Sequence, residues 1–116
     1  MKVIVFSGTR TIARRGEPSK RLDELLKEFG EELFIVHGDA NGVDTEVSVW
    51  CKANGVPHAM FFAPWKIGRG AGMLRNRLMR DLIRPSCLYA YPIAESKGTV
   101  DCINAFREKG IDVVVE

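Results

Sequence analysis

The chain has 116 residues, 46% of them hydrophobic and 28% charged, with a formal net charge of +2. That length gives a single domain, 1–116, with one core, and the composition is that of a soluble globular protein. No apolar run approaches the roughly 20 residues of a membrane span, and the three cysteines, Cys51, Cys87 and Cys102, lack metal-ligand spacing and read as reduced thiols of a cytoplasmic protein.

In chain order, Lys2–Ser7 is an apolar, β-branched run that predicts a first strand and is too short for a signal peptide. Pro18-Ser19 opens a helix with Leu22, Leu25, Leu26 and Phe29 at helical spacing and Gly30 as its stop. Leu33–Val36 predicts the second strand. A helix beginning near Asn41 carries Val43, Val47, Trp50 and Cys51 on one face and ends at Asn54-Gly55. Pro57–Ala63 predicts a third strand, and Trp65–Gly72 a loop rich in glycine and arginine. A third helix, from about Ala71 to Ile83, has Leu74, Leu78 and Leu82 in register as its expected buried stripe, with Pro85 marking its end. Cys87–Tyr91 predicts the fourth strand. Thr99–Lys109 predicts a fourth helix with Val100, Ile103 and Phe106 inward, Gly110 caps it, and Asp112–Val115 predicts a fifth strand.

Strands alternating with helices of this length imply βαβ units. The expected fold is α/β: a Rossmann-like doubly wound sheet of about five parallel strands with helices on both faces. Ligands of such sheets sit beyond the carboxyl ends of the strands, where strand order reverses. Every glycine-rich element follows a strand, so all of them fall on that edge.

Two of those elements are strand–turn–helix units of the kind that holds a phosphate on free backbone N–H groups. One is His37-Gly38-Asp39-Ala40-Asn41-Gly42-Val43-Asp44; the other runs from Tyr91-Pro92 to Lys97-Gly98-Thr99-Val100-Asp101. Ser7-Gly8-Thr9-Arg10 after the first strand adds a tight turn, a hydroxyl and a cation. A carboxylate beside a phosphate is repelled, so Asp39 and Asp44 fit ribose hydroxyls, a helix cap or an arginine-orienting role, with capping the strong alternative for Asp39 and Asn41. His37 reads as a hydrogen-bonding residue at a strand end. Arg75 lies at the margin of the leucine stripe, in the first turn of the third helix, where a guanidinium can face the strand edge; Arg77 and Arg80 read as surface arginines.

Basic residues cluster in two blocks, residues 1–21 and 65–84, each with six basic side chains against one acid. Arginine suits bidentate contacts to phosphate. Two solvated faces explain most of these residues, and the functional expectation is that a subset converges on one anion. A nucleic-acid interface is the weakest reading, because few aromatics interleave with the arginines and no helix-turn-helix or RNA-binding motif occurs.

In order along nearly the whole chain, Phe6-Ser7-Gly8-Thr9-Arg10-Thr11-Ile12, the His37–Asp44 turn, Ala63-Pro64-Trp65, Gly70-Ala71-Gly72-Met73-Leu74-Arg75-Asn76 and Gly98-Thr99-Val100-Asp101 resemble the SLOG superfamily, in its YspA/cpYpsA-related branch. The resemblance implies a Rossmann-like fold that binds nucleotides or nucleotide-derived ligands. It implies a ligand site drawn from Ser7, Gly8, Thr9, Arg10, Gly38, Asp39, Ala40, Gly42, Asp44, Trp65, Arg69, Asn76, Pro92, Gly98 and Thr99. It also implies a homodimer, to which Met73, Met79 and Trp65 would contribute.

The more distant Lonely guy phosphoribohydrolases cleave the N-glycosidic bond of nucleoside 5′-monophosphates with an arginine and glutamates. By that likeness Arg75 and Asp101 would be the catalytic pair if the chain is an enzyme. Those enzymes carry Pro-Gly-Gly-x-Gly-Thr-x-Glu-Glu, whereas Pro92-Ile93-Ala94-Glu95-Ser96-Lys97-Gly98-Thr99-Val100-Asp101-Cys102 lacks the paired glycines and the second acid. Such cleavage passes through an oxocarbenium-like transition state that needs carboxylate help, so the altered turn favours binding over hydrolysis. No metal and no cofactor are expected.

Overall fold

The computed structural model describes residues 1–116. The chain alternates β1 (Lys2–Gly8), α1 (Glu17–Phe29), β2 (Leu33–Gly38), α2 (Val43–Asn54), β3 (His58–Phe61), α3 (Ala71–Ile83), β4 (Cys87–Tyr91), α4 (Lys97–Glu108) and β5 (Asp112–Val115). Single 3-10 turns at Gly30–Glu32 and Trp65–Ile67 lead into β2 and α3. All strand pairs are parallel, in the order β3-β2-β1-β4-β5. This is the α/β fold expected from the alternation.

The two faces follow from strand periodicity. On β1, Ile4 and Phe6 point to the side covered by α1 and α2, with Leu33, Ile35, Val43, Val47 and Trp50. Val5 points to the other side, covered by α3 and α4, with Val36, Leu88, Met79, Cys102 and Phe106. Successive strand residues alternate between faces, so a β-branched run buried on both sides makes a central parallel strand. Each of these fully buried side chains contributes about 1.5–3 kcal/mol.

Element ends obey local chemistry. Pro18 sits in the first turn of α1, where its missing N–H costs nothing. Gly55 closes α2 in the left-handed conformation, φ 66°. Neither Asp39 nor Asn41 caps α2, which begins behind Gly42 with no side-chain cap.

The buried face of α3 is rotated from the leucine stripe. Ala71, Arg75, Asn76, Met79 and Arg80 are buried, whereas Leu74 is 42% and Leu82 69% exposed. The inner face of α3 must pack on α4 and meet the strand ends with polar groups, so small and polar residues take it, Leu74 and Leu82 turn outward and Leu78 is half-buried. Met79 accordingly belongs to the core rather than to a surface, while Trp65 and Met73 are exposed. Val100 is also outward on α4, with Ile103 and Phe106 buried. No helix is long and apolar enough to cross a membrane.

Candidate functional site

Strand order reverses between β1 and β4: the chain works outward from β1 through β2 to β3, then α3 carries it back across the sheet to β4. The loops leaving β1 and β4 therefore diverge to opposite faces and leave a cleft between them. It encloses about 350 Å³, at the small end of ligand sites. Its walls are Ser7, Gly8, Thr9, Arg10 and Thr11 after β1, Ala40 and Asp44 around the start of α2, Arg75 on α3, and Ile93, Glu95, Ser96, Lys97, Gly98 and Thr99 at the start of α4.

The start of α4 is open. The hydroxyl of Ser96 accepts the N–H of Ile93 at 2.9 Å and leaves the helix end without a side-chain cap. The N–H groups of Gly98 and Thr99 donate to no backbone carbonyl. A Cβ on Gly98 would meet nothing within 4 Å. Free donors, the positive end of a 12-residue helix and the Lys97 ammonium thus face the same space.

The opposite wall is closely packed. A Cβ on Gly8 would lie 2.8 Å from Val43 Cβ and 2.9 Å from the Tyr91 carbonyl. On Gly38 it would collide with the guanidinium of Arg75 and come within 2.8 Å of Asp44 Oδ2. Gly42, at φ 71°, runs its backbone against Thr9, Arg10 and Thr11. Thr9 ties the three segments together: its N–H donates to Tyr91 at 3.0 Å and its carbonyl accepts from Val43 at 3.1 Å. These glycines let protein approach protein.

Arg75 is buried and engaged. It donates to Asp39 at 2.8 Å and to the side-chain oxygen of Asn76 at 3.0 Å. Asp39 also accepts the N–H of Ala63 at 3.2 Å and the indole N–H of Trp65 at 3.1 Å. Asp39 therefore orients Arg75 and anchors the 63–65 segment from outside the cleft. Trp65 is half-exposed and lies under the Arg10 guanidinium, 5.0 Å from the ring centre. Asp44 lines the cleft floor. Its Oδ2 accepts the N–H of Ala40 at 3.1 Å, its Oδ1 is buried without a partner, and burial pushes its carboxyl up to about 6.

Of the residues expected from sequence, the cleft brings together Ser7, Gly8, Thr9, Arg10, Ala40, Asp44, Arg75, Gly98 and Thr99. Gly38, Asp39 and Gly42 support it from behind. Trp65, Arg69, Asn76 and Pro92 lie outside its lining; the Pro92 carbonyl instead accepts from Arg14 at 2.7 Å. Asp101 is also outside. It accepts from Asn76 at 3.1 Å and from Arg77 at 3.0 and 3.3 Å, tying α4 to α3.

Arg77 and Arg80 are therefore not plain surface arginines. Arg80 is buried, pairing with Asp81 at 2.7 Å and donating to the Ala105 carbonyl at 3.2 Å. Arg14 pairs with Glu17, and Arg21 with Glu24 and Glu116. Much of both basic blocks is thus spent within the fold. His37 is fully buried, with Nδ1 at 2.8 Å from the Gly38 carbonyl and its ring stacked on His58. Burial pushes the Cys51 and Cys102 thiols up to about 12, so neither is a nucleophile near neutrality. No group of His, Cys, Asp and Glu side chains gathers to hold a metal.

Sequence reasoning missed Thr11, Ile93, Glu95, Ser96 and Lys97. The signal for the last four was the turn itself: a loop between a strand's carboxyl end and a helix start at the reversal point. A larger hollow of about 590 Å³ lies along α2 and meets the same edge at Thr11 and the turn through Asn41, Gly42 and Val43. Its carboxylate, Glu46, is spent on the N–H groups of Gly16 and Ser19 and the Ser19 hydroxyl.

The comparisons agree with this architecture. The YspA, cpYpsA-related SLOG family model matches residues 2–68. The chain is 29% identical over 120 aligned residues to the Gene 61 protein of Mycobacterium phage D29, covering 98% of this chain and 95% of that protein. The fold is similar to that of DNA processing protein A from Streptococcus pneumoniae, with a TM-score of 0.75 at 17% identity. That likeness covers 99% of this chain and spans half the length of the DNA processing protein.

Proposed function

The chain belongs to the YspA, cpYpsA-related SLOG family, and from that premise we propose that it binds a nucleotide or nucleotide-derived ligand in the cleft between β1 and β4. The observation that carries this reading is the uncapped start of α4. Unpaired N–H groups at Gly98 and Thr99, open space at Gly98, and the Thr99 hydroxyl and Lys97 around them form a seat for a phosphate. Arg10 and the hydroxyls of Ser7 and Thr9 supply further contacts from the opposite wall.

Binding is favoured over cleavage of an N-glycosidic bond. Asp101, the carboxylate such a reaction would draw on, is committed to Arg77 and Asn76, and Arg75 is committed to Asp39. Calorimetry with AMP, followed by chromatography for free adenine, tests this. The expected result is saturable binding without base release. Base release that disappears in Asp101→Asn or Arg75→Ala would establish the hydrolase instead, and no affinity for any nucleoside phosphate would remove both readings. Exposed Trp65, Ile67, Met73 and Leu74 before and on α3 support self-association as a homodimer. Sedimentation velocity tests that: a concentration-independent monomer rules it out.

A further inference from the structure

We propose that the cleft takes up its anion together with a proton, and that Asp44 is the group that carries the proton. This rests on the anion-binding reading above and adds a regulation of that same site.

Asp44 sits in the first turn of α2 with 5% of its surface exposed, and it lines the cleft. A carboxylate asks for donors at both oxygens. Here Oδ2 has the Ala40 N–H at 3.1 Å, whereas Oδ1 is buried and has none. An ionised, half-satisfied carboxylate in such a place is costly. The neutral acid fits better: it needs fewer donors and offers one of its own.

The charged groups around it do not rescue the ionised form. From α3 comes Arg75, already paired with Asp39 at 2.8 Å. From the β2–α2 loop comes Asp39 itself, which opposes ionisation. From α4 comes the Cys102 thiol, un-ionised near neutrality. Across the cleft stand Arg10, Lys97 and Glu95. Burial outweighs the Ala40 and Gly38 N–H groups and the Arg75 guanidinium, and the carboxyl is held at about 6.

An arriving anion adds a like charge to the same small, partly enclosed space and raises that value further. Linkage is reciprocal, so protonating Asp44 must tighten the anion by the same factor. The sign follows: affinity rises as pH falls through about 6. A ligand hydroxyl donating to an ionised Asp44 would produce the opposite slope. The proton also changes what the site selects, since a neutral Asp44 offers an O–H to a phosphate oxygen instead of repelling it.

The test uses inorganic sulfate, whose charge does not change across the range, so that the probe itself contributes no slope. Calorimetric titrations run from about pH 8 down to about pH 5 on the wild-type chain and on Asp44→Asn. A rise of one unit in the Asp44 value on binding corresponds to about tenfold tighter binding at the acid end. In Asp44→Asn that slope should be lost. Independently of any variant, wild-type titrations near pH 6.5 in two buffers of different ionisation heat should report net proton uptake. Sulfate binding without uptake, with a slope equal to that of Asp44→Asn, or with affinity falling toward acid, overturns the role of Asp44 and leaves the anion site standing. No sulfate or AMP binding at any pH overturns this inference together with the reading it rests on.

Discussion

The two glycine turns at the carboxyl edge look alike in sequence and do opposite work. In the Gly38–Asp44 turn, added Cβ atoms at Gly38 and Gly42 strike Arg75 and the backbone of residues 9–11. In the Glu95–Thr99 turn, a Cβ at Gly98 meets open space, and neighbouring N–H groups lack carbonyl partners. The first turn builds the wall, and the second is open where the ligand is proposed to sit. A glycine that admits another part of the protein and one that admits a ligand are told apart by what a methyl group would hit.

Substitutions at these positions should separate the two roles. The largest effect on stability is expected for Gly42→Ala. Its φ of 71° strains any side chain, and the new Cβ strikes backbone rather than a flexible side-chain tip. Chemical denaturation should show a loss of about 3 kcal/mol or more. A loss below about 1 kcal/mol would mean the wall is loose and the contrast fails. Arg75→Ala comes next: it leaves Asp39 inside with its charge unpaired, for a loss of about 3 kcal/mol.

Asp44→Asn should act in the other direction. The carboxyl is held above its ordinary value in the folded chain, so the folded state binds the proton more tightly than the unfolded one. The Asp44 contribution to wild-type stability therefore falls as pH rises from about 4 to about 6, and is flat above. The asparagine removes that fall and raises unfolding free energy near neutrality by about 1–2 kcal/mol. Glu17, Glu32, Asp81 and Glu116 are held below their ordinary values and slope the other way, so the variant is the reference: a stability gap between Asp44→Asn and wild type that does not widen as pH rises over this range would contradict the burial of an unsatisfied carboxylate. The smallest stability effect belongs to Gly98→Ala, within about 0.5 kcal/mol of wild type because its methyl points into space. The same substitution narrows the phosphate seat and should weaken AMP in a calorimetric titration by about tenfold.

Much of this was legible in the chain itself. The β-branched runs of β1 and β2, the breaks at Gly30, Gly55 and Pro85, and the strand–helix alternation gave the parallel sheet. The inner face of α3 was not legible. Leu74, Leu78 and Leu82 form a helical stripe, yet the helix turns Arg75, Asn76 and Arg80 inward because Asp39, Gly98 and the Ala105 carbonyl offer them partners. Hydrophobic spacing registers apolar burial and is blind to a polar network whose members lie 22 to 36 residues apart. Asp101 was misleading for the same reason: its position after Gly98-Thr99 fits a ligand site, and its partner Arg77 is visible only in three dimensions.

The central claim is that the start of α4, and not the Gly38–Asp44 turn, receives the anion. Backbone amide shifts recorded by NMR during titration with AMP test it directly. The largest movements should be at Lys97, Gly98 and Thr99, followed by Thr9 and Arg10, with Gly38 and Gly42 nearly still. Shifts concentrated at residues 38–44 with the start of α4 unmoved would contradict it.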